Sequence, residues 1–299
     1  MEMVSAAKMR KAVDAALKTR SYAQLAKNVL DHISVAEEER YPLLARREVK
    51  KMLIVLVSSN RGLCGSFNAN VVKKAIKLVQ EKQHVATHQE EGRKKMIPPQ
   101  PEVDVEVLGI GKKSVQFAKK QQLPLVGVYD DMSETPTFER IVSISKQIID
   151  GYTTGTYDKV LLVYTHFASS LQQITNIRQL LPVSRHDVDE LLGELDHHDH
   201  RKKSDETVRD VSSIDEYVFE PDMDTVLNYI IPRLVDVQLY QGILESAASE
   251  HSARMVAMKS ASDAAGDMIQ SLQMAFNKAR QAAITQEIAE IAGGAAALE

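Results

Sequence analysis

Two glycine-containing turns are where this sequence comes nearest to a site that could do chemistry. Gly62-Leu-Cys-Gly65 follows one predicted strand, and Gly109-Ile-Gly-Lys-Lys-Ser114 ends another. Glycine-rich turns between a strand and a helix can bind phosphate through their backbone N–H groups. The first turn lacks the full G-x-G-x-x-G pattern, and the second has Lys113 where a P-loop carries the serine or threonine that binds magnesium. We therefore interpret both as tight turns that need glycine for its backbone freedom, and we expect no nucleotide and no other cofactor.

Other reactive side chains stand alone in the sequence. Cys64 in a turn and His166 at a strand end have no partner at a diagnostic spacing, and a nucleophile needs a placed base. Four histidines occur within an acidic stretch, at His186, His197, His198 and His200. In isolation they could bind a metal, but their irregular spacing among solvated acids favours a mobile loop. We therefore expect no catalytic residue and no metal site, and hence a non-catalytic protein.

The composition is typical of a helix-rich protein without a disulfide framework. The chain has 299 residues, 5% aromatic residues, no tryptophan and one cysteine. Few aromatic residues favour helices over a sheet sandwich, and a single cysteine is typical of a reducing compartment. Since no run of eighteen apolar residues occurs, we expect no membrane span and a soluble cytoplasmic protein.

Charge is distributed unevenly, although the formal net charge is only −4. Residues 1–27 carry six basic and two acidic side chains, whereas residues 185–222 carry thirteen acidic and five basic ones. A basic amphipathic helix can meet nucleic acid, a membrane surface or an acidic protein, or it can simply be solvated. The charge pattern alone leaves these alternatives open.

The C-terminal stretch from about Pro221 to Ala292 predicts one very long helix. No proline follows Pro232, and a seven-residue repeat of mostly apolar or small residues runs from Ile230 to Glu290. Such a repeat winds helices around each other. Some sixty residues at about 1.5 Å each give roughly 90 Å, whereas a compact domain of this chain length is on the order of 50 Å across. We therefore expect the helix to protrude, and we expect its weak, small-residue seam to need a partner or a sleeve.

A second helix is predicted from Met1 to about Arg40, where no proline or glycine occurs before Tyr41-Pro42. Between the two helices, apolar runs alternate with helical periodicity. They predict strands at residues 52–57, 103–108, 124–129, 159–166 and 173–182, and helices at residues 69–81, 114–120 and 137–151. The expected fold class is therefore α/β, with two long terminal helices and a small open sheet covered by helices.

The expected organisation has four parts. They are an N-terminal helix at residues 1–48, an α/β domain at 49–184, an acidic flexible loop at 185–219 and a C-terminal helix at 220–299.

Four long motifs resemble the gamma subunit of F-type ATP synthases, the central shaft of that rotary motor. The motifs are Met1-Glu-Met-Val-Ser-Ala-Ala-Lys-Met-Arg-Lys11, Ser58-Ser-Asn-Arg-Gly-Leu-Cys-Gly-Ser-Phe-Asn68, Glu250-His-Ser-Ala-Arg-Met-Val-Ala-Met-Lys259 and Asn277-Lys-Ala-Arg-Gln-Ala-Ala-Ile-Thr-Gln-Glu287. They occur in the family's order and extend over the chain from end to end.

The resemblance implies an antiparallel coiled coil of the terminal helices and a Rossmann-like domain that binds no nucleotide. It implies one copy per complex, in which the shaft turns inside a ring of alpha and beta subunits and meets epsilon and the membrane c-ring below. Delta is a further subunit of that complex. The implied function is to couple proton flow to ATP synthesis, without nucleic acid, at the cytoplasmic face of the bacterial inner membrane.

By the same resemblance, five residues are candidate partner contacts. Arg280, Gln281 and Thr285 lie where the shaft touches an acidic catch loop of the beta subunits, and Arg280 can donate charge-assisted hydrogen bonds there. Met1 and Lys8 lie where the first helix faces the lower ring. An ordinary exposed helix face is the alternative for these positions.

The sequence departs from the family pattern at its start and in two connections. The family normally has roughly two dozen residues before the position of Met1, about 35 Å of helix, with an I-T-x-A-type lead-in that is absent here. Met1 could be an internal methionine; otherwise we expect the upper C-terminal helix near Phe276 to lack its partner. The polar stretch from His84 to Pro101 and the acidic loop after Pro182 look longer than usual, as insertions between elements can be.

Two hypotheses of other classes stay open on the sequence alone. A free-standing coiled-coil adaptor would form a stable homodimer. A nucleotide-using enzyme built on the α/β domain would bind ATP or NAD saturably.

Overall fold

The computed structural model describes residues 1–31, 40–86, 88–89, 96–97, 102–130, 132, 136–184, 189, 192, 220 and 222–296. Its elements are α1 Glu2–Lys18, α2 Arg20–Asp31, β1 Lys51–Val57, α3 Phe67–Gln80, α4 Lys82–Ala86, β2 His88–Gln89, β3 Met96–Ile97, β4 Asp104–Ile110, α5 Lys112–Lys120, β5 Leu125–Tyr129, α6 Phe138–Thr153, β6 Lys159–Phe167, β7 Gln173–Leu181 and, last, the helix Met223–Ala296, here α7. The predicted α/β fold is confirmed, with each predicted strand and helix of the middle region within a few residues of its expected place.

The main sheet has five strands in the order β5-β4-β1-β6-β7. The first four run parallel, and β7 returns antiparallel to β6. β1 is central because its run of apolar, mostly branched side chains suits a strand that is covered on both faces. The short strands β2 and β3, within the stretch that looked like an insert, pair with each other.

Successive side chains of the central strands point to two separate apolar cores. Val55 of β1 packs into a core with α6 and α7, whereas its neighbour Ile54 packs into a core with α3 and α5. Both side chains are fully buried. The α/β domain therefore has three layers, with the sheet in the middle and α7 in one of the two outer layers.

α7 has 74 residues, more than the some sixty predicted, and would be about 110 Å long. It begins ahead of Pro232 and contains it. Asp222 caps its start, because one carboxylate oxygen accepts the Thr225 N–H at 2.8 Å and the other accepts the Thr225 hydroxyl at 2.8 Å. These hydrogen bonds keep the pKa of Asp222 below its ordinary value.

The N-terminal region is two helices, so the prediction of one continuous helix to Arg40 is wrong at Thr19. The Thr19 N–H bonds to Ala16 O at 3.1 Å, and its hydroxyl lies 2.8 Å from the same oxygen. A backbone N–H that bonds three residues back instead of four forms a 3₁₀ turn, which interrupts the α-helix. The predicted end of the helix, residues 32–39, lies outside the described residues.

α1 packs antiparallel against α7, as the resemblance implied. Met9, Ala12 and Val13 of α1 pack with Ala247 and Ala248 of α7. Further along the chain, Thr19 contacts Gln241. Residue numbers therefore increase along α1 while those of the facing residues of α7 decrease, as in an antiparallel pair. The contact is made largely by small side chains, which bring the two backbones close together.

We expect Gly242→Ala to destabilise the protein, because α7 crosses β6 most closely at this glycine. An added Cβ would lie 2.5 Å from Leu162 Cδ2, and Leu162 is fully buried. Overpacking of this kind costs about 1–3 kcal/mol, measurable by urea unfolding. The matched control is Gly266→Ala in the same helix, where nothing lies within 4 Å; it should leave stability equal or slightly higher. Equal stability of both variants would contradict the close approach.

Candidate functional site

The upper part of α7, residues 259–294, is exposed at every position. We call it the exposed segment; it would be about 50 Å long. Eight large apolar side chains project from it, namely Met268, Ile269, Leu272, Met274, Phe276, Ile284, Ile288 and Ile291. Leu272 and Phe276, one helical turn apart, are 63% and 66% exposed. An apolar surface of this extent marks an interaction site.

The structure places the five predicted partner contacts in two regions. Arg280, Gln281 and Thr285 lie on the exposed segment, and helical spacing puts Gln281 and Thr285 on one face. Met1, 78% exposed, and the half-buried Lys8 lie at the start of α1. The two groups are therefore on different helices.

Below the exposed segment, a row of serines attaches α7 to the sheet. Ser246 Oγ accepts the Thr165 N–H at 2.9 Å, and Ser249 Oγ donates to Thr165 O at 3.2 Å. Farther up, Ser252 Oγ donates to Ser170 O at 2.7 Å. These hydroxyls are spaced by three residues and lie on one helix face, so they fix α7 along the end of β6.

A buried acid–imidazole contact lies at the same junction. His166 Nδ1 is 2.7 Å from Glu245 Oε2, and the two side chains are 7% and 1% exposed. The sequence analysis found no partner for His166 at a diagnostic spacing, and the partner that the structure shows is 79 residues away in the sequence. The other carboxylate oxygen accepts a hydrogen bond from Gln241 Nε2 at 2.8 Å, and the Thr19 hydroxyl donates to Gln241 Oε1 at 2.7 Å.

A buried arginine balances the charge of this cluster. Arg178 is 1% exposed, stacks on the Tyr164 ring at 4.7 Å and donates from Nη2 to the Tyr164 hydroxyl at 2.5 Å. Desolvation by burial would raise the pKa of Glu245. The His166 hydrogen bond, the charges of Arg178 and His166, and the Gln241 hydrogen bond outweigh it and keep that pKa below its ordinary value. The carboxylate is therefore charged although it is buried.

Sequence reasoning missed Glu245, Gln241 and Arg178. The available signal was a glutamine and a glutamate four residues apart within a stretch of α7 that is otherwise apolar or small. Two residues that are four apart lie on the same face of a helix. If that face is buried, their polar groups need hydrogen-bond partners.

The glycine turns are folded against each other at the carboxyl end of β1 and β4. The first three N–H groups of α5, which could have met a phosphate, are bonded to the protein itself. Asn60 Oδ1 accepts the Lys112 N–H at 3.0 Å, and Ser58 Oγ accepts the Ser114 N–H at 2.8 Å. Ser59 O accepts the third, from Lys113, at 3.2 Å.

Gly111 is required in this turn by both conformation and space. Its φ is +87°, and an added Cβ would lie 2.1 Å from Ser58 O. Cys64 is buried in the adjoining turn, where Asn68 Nδ2 lies 3.2 Å from its sulfur. Both residues fit the interpretation as tight structural turns.

Among the described residues, no group of three His, Cys, Asp or Glu side chains is placed to bind a metal. A cavity of about 350 Å³ at the other end of the sheet is lined by Lys51, Lys82 and Glu106, among others. Its lysines are engaged, because Lys51 Nζ lies 2.6 Å from Glu106 Oε1 and Lys82 Nζ donates to Val103 O at 2.7 Å. The predicted loop histidines lie outside the described residues.

We expect Glu245→Gln to destabilise the protein by about 3 kcal/mol at neutral pH, because His166 and Arg178 would lose a buried counter-charge. The folded-state pKa of Glu245 lies below the ordinary value of 4.5, so its stabilising contribution is complete above about pH 4.5 and is lost as the pH falls through the lower folded value. The difference between variant and wild type in urea unfolding should therefore shrink under acid conditions.

The matched control for this experiment is Glu290→Gln. Gln286 Nε2 donates to Glu290 at 2.9 Å with the same four-residue spacing, but in the exposed segment. This control should change stability by less than about 0.5 kcal/mol. A pH-independent effect of Glu245→Gln, or an equal effect of the two substitutions, would contradict the buried charged cluster.

Comparison with known proteins gives one consistent result. The family model described as ATP synthase matches residues 1–298. ATP synthase gamma chains from Legionella pneumophila strain Corby and Xanthomonas campestris pv. campestris strain B100 are each 37% identical to this chain, over 100% of its length and 92% of theirs.

Solved structures agree at the level of the fold. The Tetrahymena thermophila mitochondrial ATP synthase central stalk and c-ring structure contains a chain that matches with a TM-score of 0.55 and 21% identity, over 88% of this chain and 97% of that one. The Euglena gracilis mitochondrial ATP synthase rotor gives a TM-score of 0.55 and 19% identity, over 95% and 91%. On the full-length family match and the identity to gamma chains, this chain belongs to the ATP synthase gamma-chain family, the non-catalytic rotor stalk subunits of F-type ATP synthases.

Proposed function

We propose that the exposed segment turns inside a ring of alternating alpha and beta subunits, and that the α/β domain lies below that ring. The observation that carries this proposal is the run of exposed helix at residues 259–294 with its eight large apolar side chains. A single helix with this surface would not stay solvated in isolation. A surrounding ring of subunits covers this apolar surface without a partner helix along the exposed segment.

The side chains of the exposed segment suit a helix that turns inside a surrounding ring of subunits. Its apolar side chains are interspersed with alanine and serine, and they include flexible methionines such as Met268 and Met274. Methionine adapts to changing surroundings, and small residues bury little area in any one orientation. Such a surface can be covered in several angular positions at similar free energy.

Contact with the beta subunits is proposed for Arg280, Gln281 and Thr285. Arg280 is exposed and follows the exposed Lys278, and no acidic residue lies between Asp267 and Glu287. A guanidinium can bind a carboxylate with two parallel hydrogen bonds, so the acidic catch loop suggested by the family resemblance is a suitable partner. The contact would form or break as the shaft rotates, and would thereby link the rotational position of the shaft to a beta subunit.

The lower end of the molecule is proposed to meet epsilon and the c-ring. That end lies away from the exposed segment. Met1 and Lys8 lie elsewhere, because antiparallel packing puts the start of α1 beside the start of the exposed segment, so we propose that these two residues face the lower rim of the alpha–beta ring. No helix among the described residues is long and apolar enough to cross a bilayer. We propose a peripheral position at the cytoplasmic face of the bacterial inner membrane, with one copy per complex alongside the alpha, beta, epsilon and delta subunits.

The division into residues 1–48, 49–184, 185–219 and 220–299 stays a prediction. Most of the acidic loop falls outside the described residues. In its described part, Leu192 packs on Ala23 of α2.

We expect the double substitution Arg280→Ala and Gln281→Ala to weaken coupling between rotation and catalysis, because it removes the groups proposed to contact the beta subunits. ATP hydrolysis and ATP-driven proton pumping of the assembled complex should fall several-fold, whereas the folding of the isolated chain should not change, since both side chains are exposed. The measurements are the rate of ATP hydrolysis and the rate of proton flux in membrane vesicles, each per assembled complex.

Lys278→Ala is the matched control for this pair. Lys278 carries the same charge and is equally exposed, but it lies two residues from Arg280 and hence points to another side of the helix. It should leave pumping unchanged. Full hydrolysis, pumping and assembly in the double variant would show that Arg280 and Gln281 belong to an ordinary solvated face.

A further inference from the structure

We propose that the buried contacts from His166 through Glu245 and Gln241 to Thr19 fix the rotational position of α7, and that torque passes between the α/β domain and the exposed segment through them. This inference rests on the proposed function, and it assigns these four side chains as positioning residues of the rotor. We call them the torsional key.

The torsional key lies where α7 is attached on two sides. His166 belongs to β6, Glu245 and Gln241 belong to α7, and Thr19 lies at the break between α1 and α2. The carboxylate uses one oxygen toward the sheet and the other, through Gln241, toward the N-terminal helices. A single buried group thus connects α7 to both of its neighbours at one level.

Packing specifies rotation weakly on the side of the torsional key that faces α1, where Ala247 and Ala248 of α7 meet Ala12. On the side that faces the sheet, Leu239 and Ile243 of α7 are buried in the apolar core. Small side chains fit one another in more than one arrangement, whereas hydrogen bonds are directional. Buried polar residues are best attested as devices that select one register among several.

A small rotation of α7 would break the torsional key without a replacement. Glu245 and Gln241 are 1% and 0% exposed, so water cannot take over the hydrogen bonds that the rotation removes. Arg178, buried beside the cluster, remains the fixed positive charge that favours the carboxylate in its native position. These polar groups therefore add angular stiffness to that of the apolar core, because they have only one satisfied arrangement.

The same helix provides a matched comparison in Gln238. Gln238 is 0% exposed, like Gln241, but neither its Nε2 nor its Oε1 has a hydrogen-bond partner among the described residues. Gln238 is buried without such a bond, whereas Gln241 is buried and bonded to both sides. Substitution of each by methionine, which has nearly the same volume, separates directional contacts from packing.

The experiment is single-molecule rotation of the assembled complex with its alpha–beta ring immobilised. A bead is attached through Lys120→Cys on α5, in a Cys64→Ser background, and the angular variance of the bead is recorded while the rotor is paused. Gln241→Met should raise this variance about twofold, because a buried network that loses one member loses its single satisfied arrangement. Gln238→Met should leave the variance unchanged.

Thr19→Val keeps the test decisive if Gln241→Met fails to assemble. Valine has the shape of threonine without the hydroxyl, so Thr19→Val should also raise the variance, and Thr19→Ser, which retains the hydroxyl, should restore it. A merely stabilising role would change unfolding but not the variance of an assembled rotor. Equal variance in Gln241→Met, Thr19→Val and wild type would overturn the torsional key. If the unsubstituted chain neither enters the ring nor rotates, the proposed function fails instead.

Discussion

The structure depends on how α7 is seated on β6. The helix crosses the strand at Gly242, where the absence of a side chain allows the backbone to approach Leu162. From there upward, Glu245, Ser246 and Ser249 bond to the end of the strand. Close approach excludes water from this contact, and that exclusion is why the polar groups have to be paired within the protein. One glycine and three polar residues on a single helix face thus determine the direction in which the long helix leaves the domain.

The consequence is a molecule with two mechanical parts. The α/β domain has two apolar cores and a sheet whose central strands are covered on both faces. The exposed segment has no core, and its apolar residues are available to a partner. A rotor subunit needs this contrast, since one part must resist torsion while the other is covered by a ring it does not bind permanently. The buried charges contribute little net stability compared with apolar packing, so their value lies in specifying one arrangement.

Much of this could be predicted from the sequence, for identifiable reasons. Strands β1 and β6 were evident because fully buried strands are continuous apolar runs, and α7 was evident because no glycine or proline pattern interrupts its repeat. The break at Thr19 was not predictable, because threonine is tolerated in helices and the sequence does not show that its N–H bonds to Ala16 O instead of Ala15 O. The start of α7 agrees with the predicted start at about Pro221, because Asp222 caps a helix whose first residue is Met223. The His166–Glu245 contact was out of reach, since the two residues are far apart in sequence and topology alone brings them together. The contacts of Arg280, Gln281 and Thr285 with other subunits stay predictions.

The central claim is that this chain is the shaft of a larger complex rather than an independent coiled coil. Intact native mass spectrometry of the protein extracted from cell membranes tests it most directly. The account predicts a complex that contains one copy of this chain with alpha, beta and epsilon subunits. Recovery of the chain alone, or as a homodimer with the exposed segments paired, would contradict the account and would favour a free-standing adaptor.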